Sequence, residues 1–88
     1  LFMNIDELIT NIKKKISSQI VIEKIRIEDK SFLHKNHIGN QKGKFHLKLI
    51  ISSFELKKMN KLDSNRKIYK ILGDEIMKFI HSLQIIIN

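Results

Sequence analysis

An α+β two-layer sandwich, with helices stacked on one face of a three-stranded mixed sheet, is the fold class that three features of this chain predict. Hydrophobic spacing switches along the sequence between about 3.6 and 2 residues, which separates helices from strands. The segments so defined run in the order αββααβ. No proline, repeat or Gly/Ser linker divides the 88 residues, so one domain over residues 1–88 is expected. A chain this short buries only roughly 60–65% of its unfolded surface, which allows a simple core and no lidded, enclosed active site.

From Ile5 the apolar residues Leu8, Ile9, Ile12 and Ile16 fall at helical spacing, with Asn4 placed as N-cap and Glu7 as its capping-box partner. Lys13, Lys14 and Lys15 read as a solvated last turn that complements the helix dipole. Between Ile20 and Asp29 the period drops to two, with Glu23, Ile25 and Ile27 on one face and Lys24, Arg26 and Glu28 on the other. This is a half-exposed strand. The polar stretch 30–43, which holds His34 and His37, is too long for a tight hairpin turn.

Phe45, Leu47, Leu49 and Ile51 alternate with His46 and Lys48 to give a second strand, antiparallel to the first. His46 falls on the face opposite Phe45, where a structural role in packing or hydrogen bonding is expected of it. After Ser52 and Ser53 the helical period returns, marked by Leu62, Arg66, Ile68, Tyr69 and Leu72 and interrupted at Gly73. A short helix from Asp74 to about Phe79 follows. His81, Leu83, Ile85 and Ile87 then alternate with Ser82 and Gln84 as the closing strand.

Seventeen Lys and Arg against nine Asp and Glu give a net charge of +8, which favours anionic partners without choosing among them. The 42% hydrophobic content argues against disorder. With no cysteine, the chain has no disulfide and no thiolate, and any iron-sulfur cluster needs a partner's sulfur. The apolar runs Leu49–Ile51 and Ile85–Ile87 fall far short of the roughly 20 residues a spanning helix requires, so no membrane role is expected. A first residue Leu1 is consistent with a removed targeting sequence, which keeps cytoplasmic and organellar locations both open. Paired carboxylates, a nucleophile with its base and a phosphate loop are all missing from the pattern, so an enzyme is not expected.

Several ordered motifs of this chain resemble the BolA family. Glu28-Asp29-Lys30-Ser31 followed by His34 and His37 is similar to the family's D-E-S-x-x-H loop. His46 stands in the strand motif that ends in Ser52-Ser53, Arg66 and Tyr69 match the long helix, and Glu75 followed by Ile80-His81-Ser82-Leu83 is like the family's E-L then I-H-A-L. The resemblance runs from about Ile5 to Ile87. Departures are Asn65-Arg66 in place of His-Arg, Lys58 in place of a Gly, and the missing Thr-Pro…Trp tail. The resemblance implies an αββααβ fold similar to class II KH domains, and an adaptor that pairs with a monothiol glutaredoxin. In such a pair a labile bridging [2Fe-2S] cluster is shared with the glutaredoxin and its glutathione, for iron-sulfur delivery or iron sensing. The isolated chain is then expected to be a monomer without cofactor.

The same resemblance implies His81 as a metal ligand and His34 as the second, with His37 as its substitute or neighbour. By alternation alone His81 sorts with Leu83 and Ile85, which would tuck it under the helices, and His34 and His37 would be a solvated loop pair. Neutral imidazole in place of thiolate raises a cluster's potential and makes the bond sensitive to protonation. A zinc site from His34, His37 and His81 alone would bind weakly, having no thiolate or carboxylate. The alternative function is KH-like nucleic-acid binding in transcriptional regulation, through a basic helix surface of Lys57, Lys58, Lys61, Arg66, Lys67 and Lys70. Against it, the G-x-x-G clamp of KH domains has no counterpart: Gly39 and Gly43 are misplaced and Gly73 stands alone.

Overall fold

The computed structural model describes residues 3–31 and 44–88, so His34, His37, Gly39 and Gly43 lie outside the described residues. The elements run α1 (Ile5–Gln19), β1 (Lys24–Asp29), β2 (Phe45–Ser52), α2 (Phe54–Lys57), α3 (Lys61–Met77) and β3 (Ile80–Ile87). This is the α+β order expected from the sequence.

Caps set the helix boundaries. At α1, Asn4 Oδ1 accepts the Glu7 backbone N–H at 2.8 Å, which satisfies one orphan donor of the first turn, while the Asn4 side-chain amide donates to the Glu7 carboxylate at 2.6 Å. The same device opens α3, where Asn60 accepts from the Asp63 N–H at 2.8 Å and donates to its carboxylate at 3.0 Å. Ser53 caps α2 by accepting from the Leu56 N–H at 3.2 Å, and it donates to the Val21 carbonyl at 2.9 Å. The continuous helix expected after Ser53 is therefore two: Phe54–Lys57 ends, and the Asn60 cap starts a new one.

The Asn60 cap also sets the phase of α3. Ser64, Ile68, Ile71, Leu72 and Ile76 are buried, whereas Leu62 is 59% and Tyr69 41% exposed. Both mark the helical period in the sequence, but neither lies on the buried face of α3. Tyr69 instead reaches β3, its hydroxyl donating to the Leu83 carbonyl at 3.3 Å, which covers a polar group on an edge strand.

Strand β2 lies between the other two. It pairs antiparallel with β1, Ile25 opposite Ile51 and Ile27 opposite Leu49, and parallel with β3, Leu47 opposite Leu83 and Leu49 opposite Ile85. Leu47, Leu49 and Ile51 are buried against Leu8, Ile12, Ile16, Ile68 and Leu72 of the helices. The outer face carries Arg26, Glu28, His46, Lys48, Ser82 and Gln84, as the strict period of two requires.

Gly73 breaks α3 with φ 71° and ψ 171°, a region open essentially to glycine alone. The Leu72 carbonyl at the break accepts from Lys15 Nζ at 3.0 Å. Lys13 and Lys14 are exposed as expected, but α1 continues to Gln19, so none of the three lysines lies in its last turn, and Lys15 is instead a tie between α1 and α3. Gly73→Ala meets only the Lys15 ammonium, at 3.5 Å, so its cost is conformational. We expect it to lower stability by about 1–3 kcal/mol, read as a lower urea midpoint at unchanged slope; an unchanged midpoint would contradict this reading of the kink.

Candidate functional site: a histidine pair at the β2–β3 register shift

The parallel ladder between β2 and β3 slips by one residue. Phe45 pairs with Ile80, but the next residue, His46, pairs with Ser82, so His81 is the extra residue on β3. An extra residue interrupts strict alternation. Ile80 takes the buried position at 6% exposure, and His81 and Ser82 are both exposed. The expectation from alternation, His81 tucked beneath the helices with Leu83 and Ile85, fails because Ile80 fills that place.

His46 is held from several sides and is 5% exposed. Its backbone N–H donates to Ser31 Oγ at 3.0 Å, and its carbonyl accepts from the Lys30 N–H at 2.7 Å. Ser31 is in turn placed by Asp29, whose carboxylate accepts the Ser31 N–H at 2.9 Å, an Asx-type turn. The Asp29-Lys30-Ser31 motif thus anchors the start of β2.

The His46 ring connects two residues of β3. Its Nδ1 lies 2.7 Å from Ser82 Oγ and its Nε2 lies 3.0 Å from His81 Nδ1. The two rings meet edge to face, with centroids 4.6 Å apart and planes at 82°. The chain Ser82–His46–His81 ends at His81 Nε2, which has no hydrogen-bond partner among the described residues. The structural role expected of His46 holds; its link to His81 escaped the sequence reading, because residues this far apart meet only through the register slip. Among the described residues no group of three His, Asp or Glu side chains is disposed to hold a metal ion.

Charge around the site is organised by Glu28. Its carboxylate lies 3.2 Å from Lys30 Nζ and 3.3 Å from Arg26. The hydrogen bond from Lys30 holds the Glu28 carboxyl below the usual carboxylate range, with partial desolvation opposing and the charges of Lys30, Arg26 and Lys48 adding to the effect. The basic residues proposed as one helix surface are divided. Lys57 and Lys61 line a groove with Ile85, Ile86 and Ile87 at the far end of β3. Arg66, Lys67 and Lys70 line another with Gln19 at the end of α1. Lys58 is the exposed C-cap of α2. Lys67 is already paired with Glu55 at 3.0 Å, which holds the Glu55 carboxyl low.

A family model described as "BolA-like protein" matches residues 16–88. The chain belongs to the BolA-like family. Over 72 residues it is 31% identical to the "DNA-binding transcriptional regulator BolA" of Haemophilus influenzae, the match covering 82% of this chain and 67% of that relative. The BolA domain of SufE1 from Arabidopsis thaliana superposes with a TM-score of 0.73 at 26% identity, covering 90% of this chain and 87% of that one. BolA1 from Arabidopsis thaliana gives the same TM-score at 22% identity, covering 91% and 88%, and carries the likeness of fold alone. This BolA-like chain shares with them the helix, mixed sheet and helix-covered face. Among its described residues no helix is long and apolar enough to cross a membrane.

The lowered Glu28 value carries a pH consequence with a definite sign. A carboxylate whose folded value is depressed stabilises the fold above its unfolded value, and the contribution is lost as pH falls through the folded one. Glu28→Gln should flatten the dependence of unfolding free energy on pH below the reference value of 4.5. Equal slopes for variant and parent would show that the Lys30 contact contributes nothing in solution.

Proposed function

We propose that this BolA-like protein is an adaptor that contributes His81 as a ligand to a [2Fe-2S] cluster shared with a monothiol glutaredoxin and its glutathione. The single observation behind this reading is the His81 ring, exposed at the head of β3 and hydrogen-bonded at Nδ1 by His46. A metal-ligating histidine characteristically engages its second ring nitrogen in such a bond. With no cysteine, the chain offers nitrogen only, and the thiolates come from the partner and glutathione. His34, or His37 in its stead, is the second donor from this chain.

In this reading the cluster is cargo, received from or passed to other proteins, and this chain's residues do the holding. His46 orients the His81 ring, the Asp29–Ser31 turn holds His46, and the exposed His81 and Ser82 at the head of β3 meet the partner. A neutral nitrogen ligand is lost on protonation, a property suited to delivery or to sensing iron supply. No catalytic residue is assigned to this protein.

Mixing the protein with a monothiol glutaredoxin, glutathione, iron and sulfide should give a heterodimer with visible charge-transfer absorption. His81→Ala should abolish that spectrum and His34→Ala should alter it. Spectra identical to the parent's in both variants would refute the ligand assignment.

The Haemophilus influenzae relative is named a DNA-binding transcriptional regulator, which favours nucleic-acid binding as a second reading. The division of the cations between two grooves suits non-specific phosphate contact more than base readout. Binding to duplex DNA should then weaken steeply with salt, and Lys57→Ala with Lys61→Ala should each reduce the salt slope by about 1. Sequence-specific binding that survives about 200 mM salt would place this reading above the first.

A further inference from the structure

We infer that His46 is a positioning residue that selects the tautomer of His81, keeping the proton on His81 Nδ1 and the lone pair on the exposed Nε2. The inference rests on the reading of His81 as a ligand and adds what makes it one. The two distances, 2.7 Å from Ser82 Oγ to His46 Nδ1 and 3.0 Å from His46 Nε2 to His81 Nδ1, define a chain of two hydrogen bonds. A neutral imidazole carries one N–H and one bare nitrogen. The direction of one bond therefore dictates the direction of the other.

Only two neutral arrangements satisfy both links. In the first, His46 Nδ1–H donates to Ser82 Oγ, His81 Nδ1–H donates to His46 Nε2, and His81 Nε2 is left with its lone pair outward. In the second, the serine hydroxyl donates to His46 Nδ1, His46 Nε2–H donates to His81 Nδ1, and His81 Nε2 carries a hydrogen. An electron-pair acceptor such as an iron or zinc ion can bind His81 Nε2 only in the first. Ser82 sits where the requirement is met without strain, since a hydroxyl either accepts or donates by turning its hydrogen.

His46 suits this task by being buried and anchored. It is 5% exposed, its backbone is bonded on both sides to the 30–31 turn, and the register slip brings two consecutive residues of β3 within reach of its two nitrogens. Without the slip, Ser82 alone would face it. The slip and the buried histidine thus belong to one device, which delivers a ring already oriented and in the ligating form.

Long-range proton–nitrogen correlation spectra of the histidine-labelled chain test the inference without any metal. At alkaline pH the parent should show His81 Nε2 as a bare, pyridine-like nitrogen and its Nδ1 as protonated, with a nitrogen–nitrogen coupling across the bond to His46 Nε2. In His46→Phe the His81 Nε2 signal should move to the protonated type, and His46→Gln, which retains an acceptor oxygen, should restore the bare type. A protonated Nε2 in the folded parent overturns the inference, and because this reading needs only the parent, misfolding of a variant does not shelter it. In the glutaredoxin complex His46→Phe should lower cluster affinity by about 10–100-fold, less than the loss in His81→Ala. An unaltered complex spectrum in His81→Ala, with the tautomer as expected, would refute the ligand reading and leave the ring geometry standing.

Discussion

Parallel pairing of β2 with β3 is the constraint from which the rest of this structure follows. It requires a long return path, which α2 and α3 supply, and it brings residues 45–51 beside residues 80–87. Above the slip at Phe45 and His46, the pairing runs regularly to Ile51 and Ile87, so the apolar faces of all three strands stay in phase beneath the helices. Below it, phase is given up at one residue. That residue is His81, and the loss of phase is what frees it from the core and sets it against His46.

The core and the site thus make opposite use of one ladder. Leu47, Leu49 and Ile51 are central-strand residues packed against α1 and α3, where truncating one such side chain costs about 2–5 kcal/mol. His46, on the other face of the same strand, is buried and is bonded to the 29–31 turn and to the head of β3. A polar residue in such a place must have partners, and here the partners extend to an exposed ring nitrogen. The rigidity that the core gives β2 is passed to the site through the backbone of one residue.

Much of the fold was legible because helix and strand periods alternate cleanly. The Asn4–Glu7 cap, the strands at Phe45 and Arg26, and the break at Gly73 each have a local cause, a side chain or a φ value that neighbours alone dictate. The parts that escaped depend on contacts distant in sequence. The second helix start at Asn60 uses an Asn-x-x-Asp pair in place of the familiar Ser/Thr-x-x-Glu pattern. Lys15 looks like a solvent residue until α3 places the Leu72 carbonyl beside it. The exposure of His81 could not be read from alternation, since a one-residue slip inverts the face without changing composition. The resemblance to BolA proteins did single out His81, and His34 and His37 lie outside the described residues.

The central claim is geometric: the slip in the β2–β3 ladder holds the rings of His46 and His81 edge to face on the outer side of the sheet, with Ser82 at the other end. Nuclear Overhauser contacts among ring protons test it most directly. The account predicts strong cross-peaks between the His46 and His81 rings and between His46 and the Ser82 β-protons, with none from His81 to Leu8 or Leu72. Cross-peaks from the His81 ring to those buried leucines, without any to His46, would contradict it.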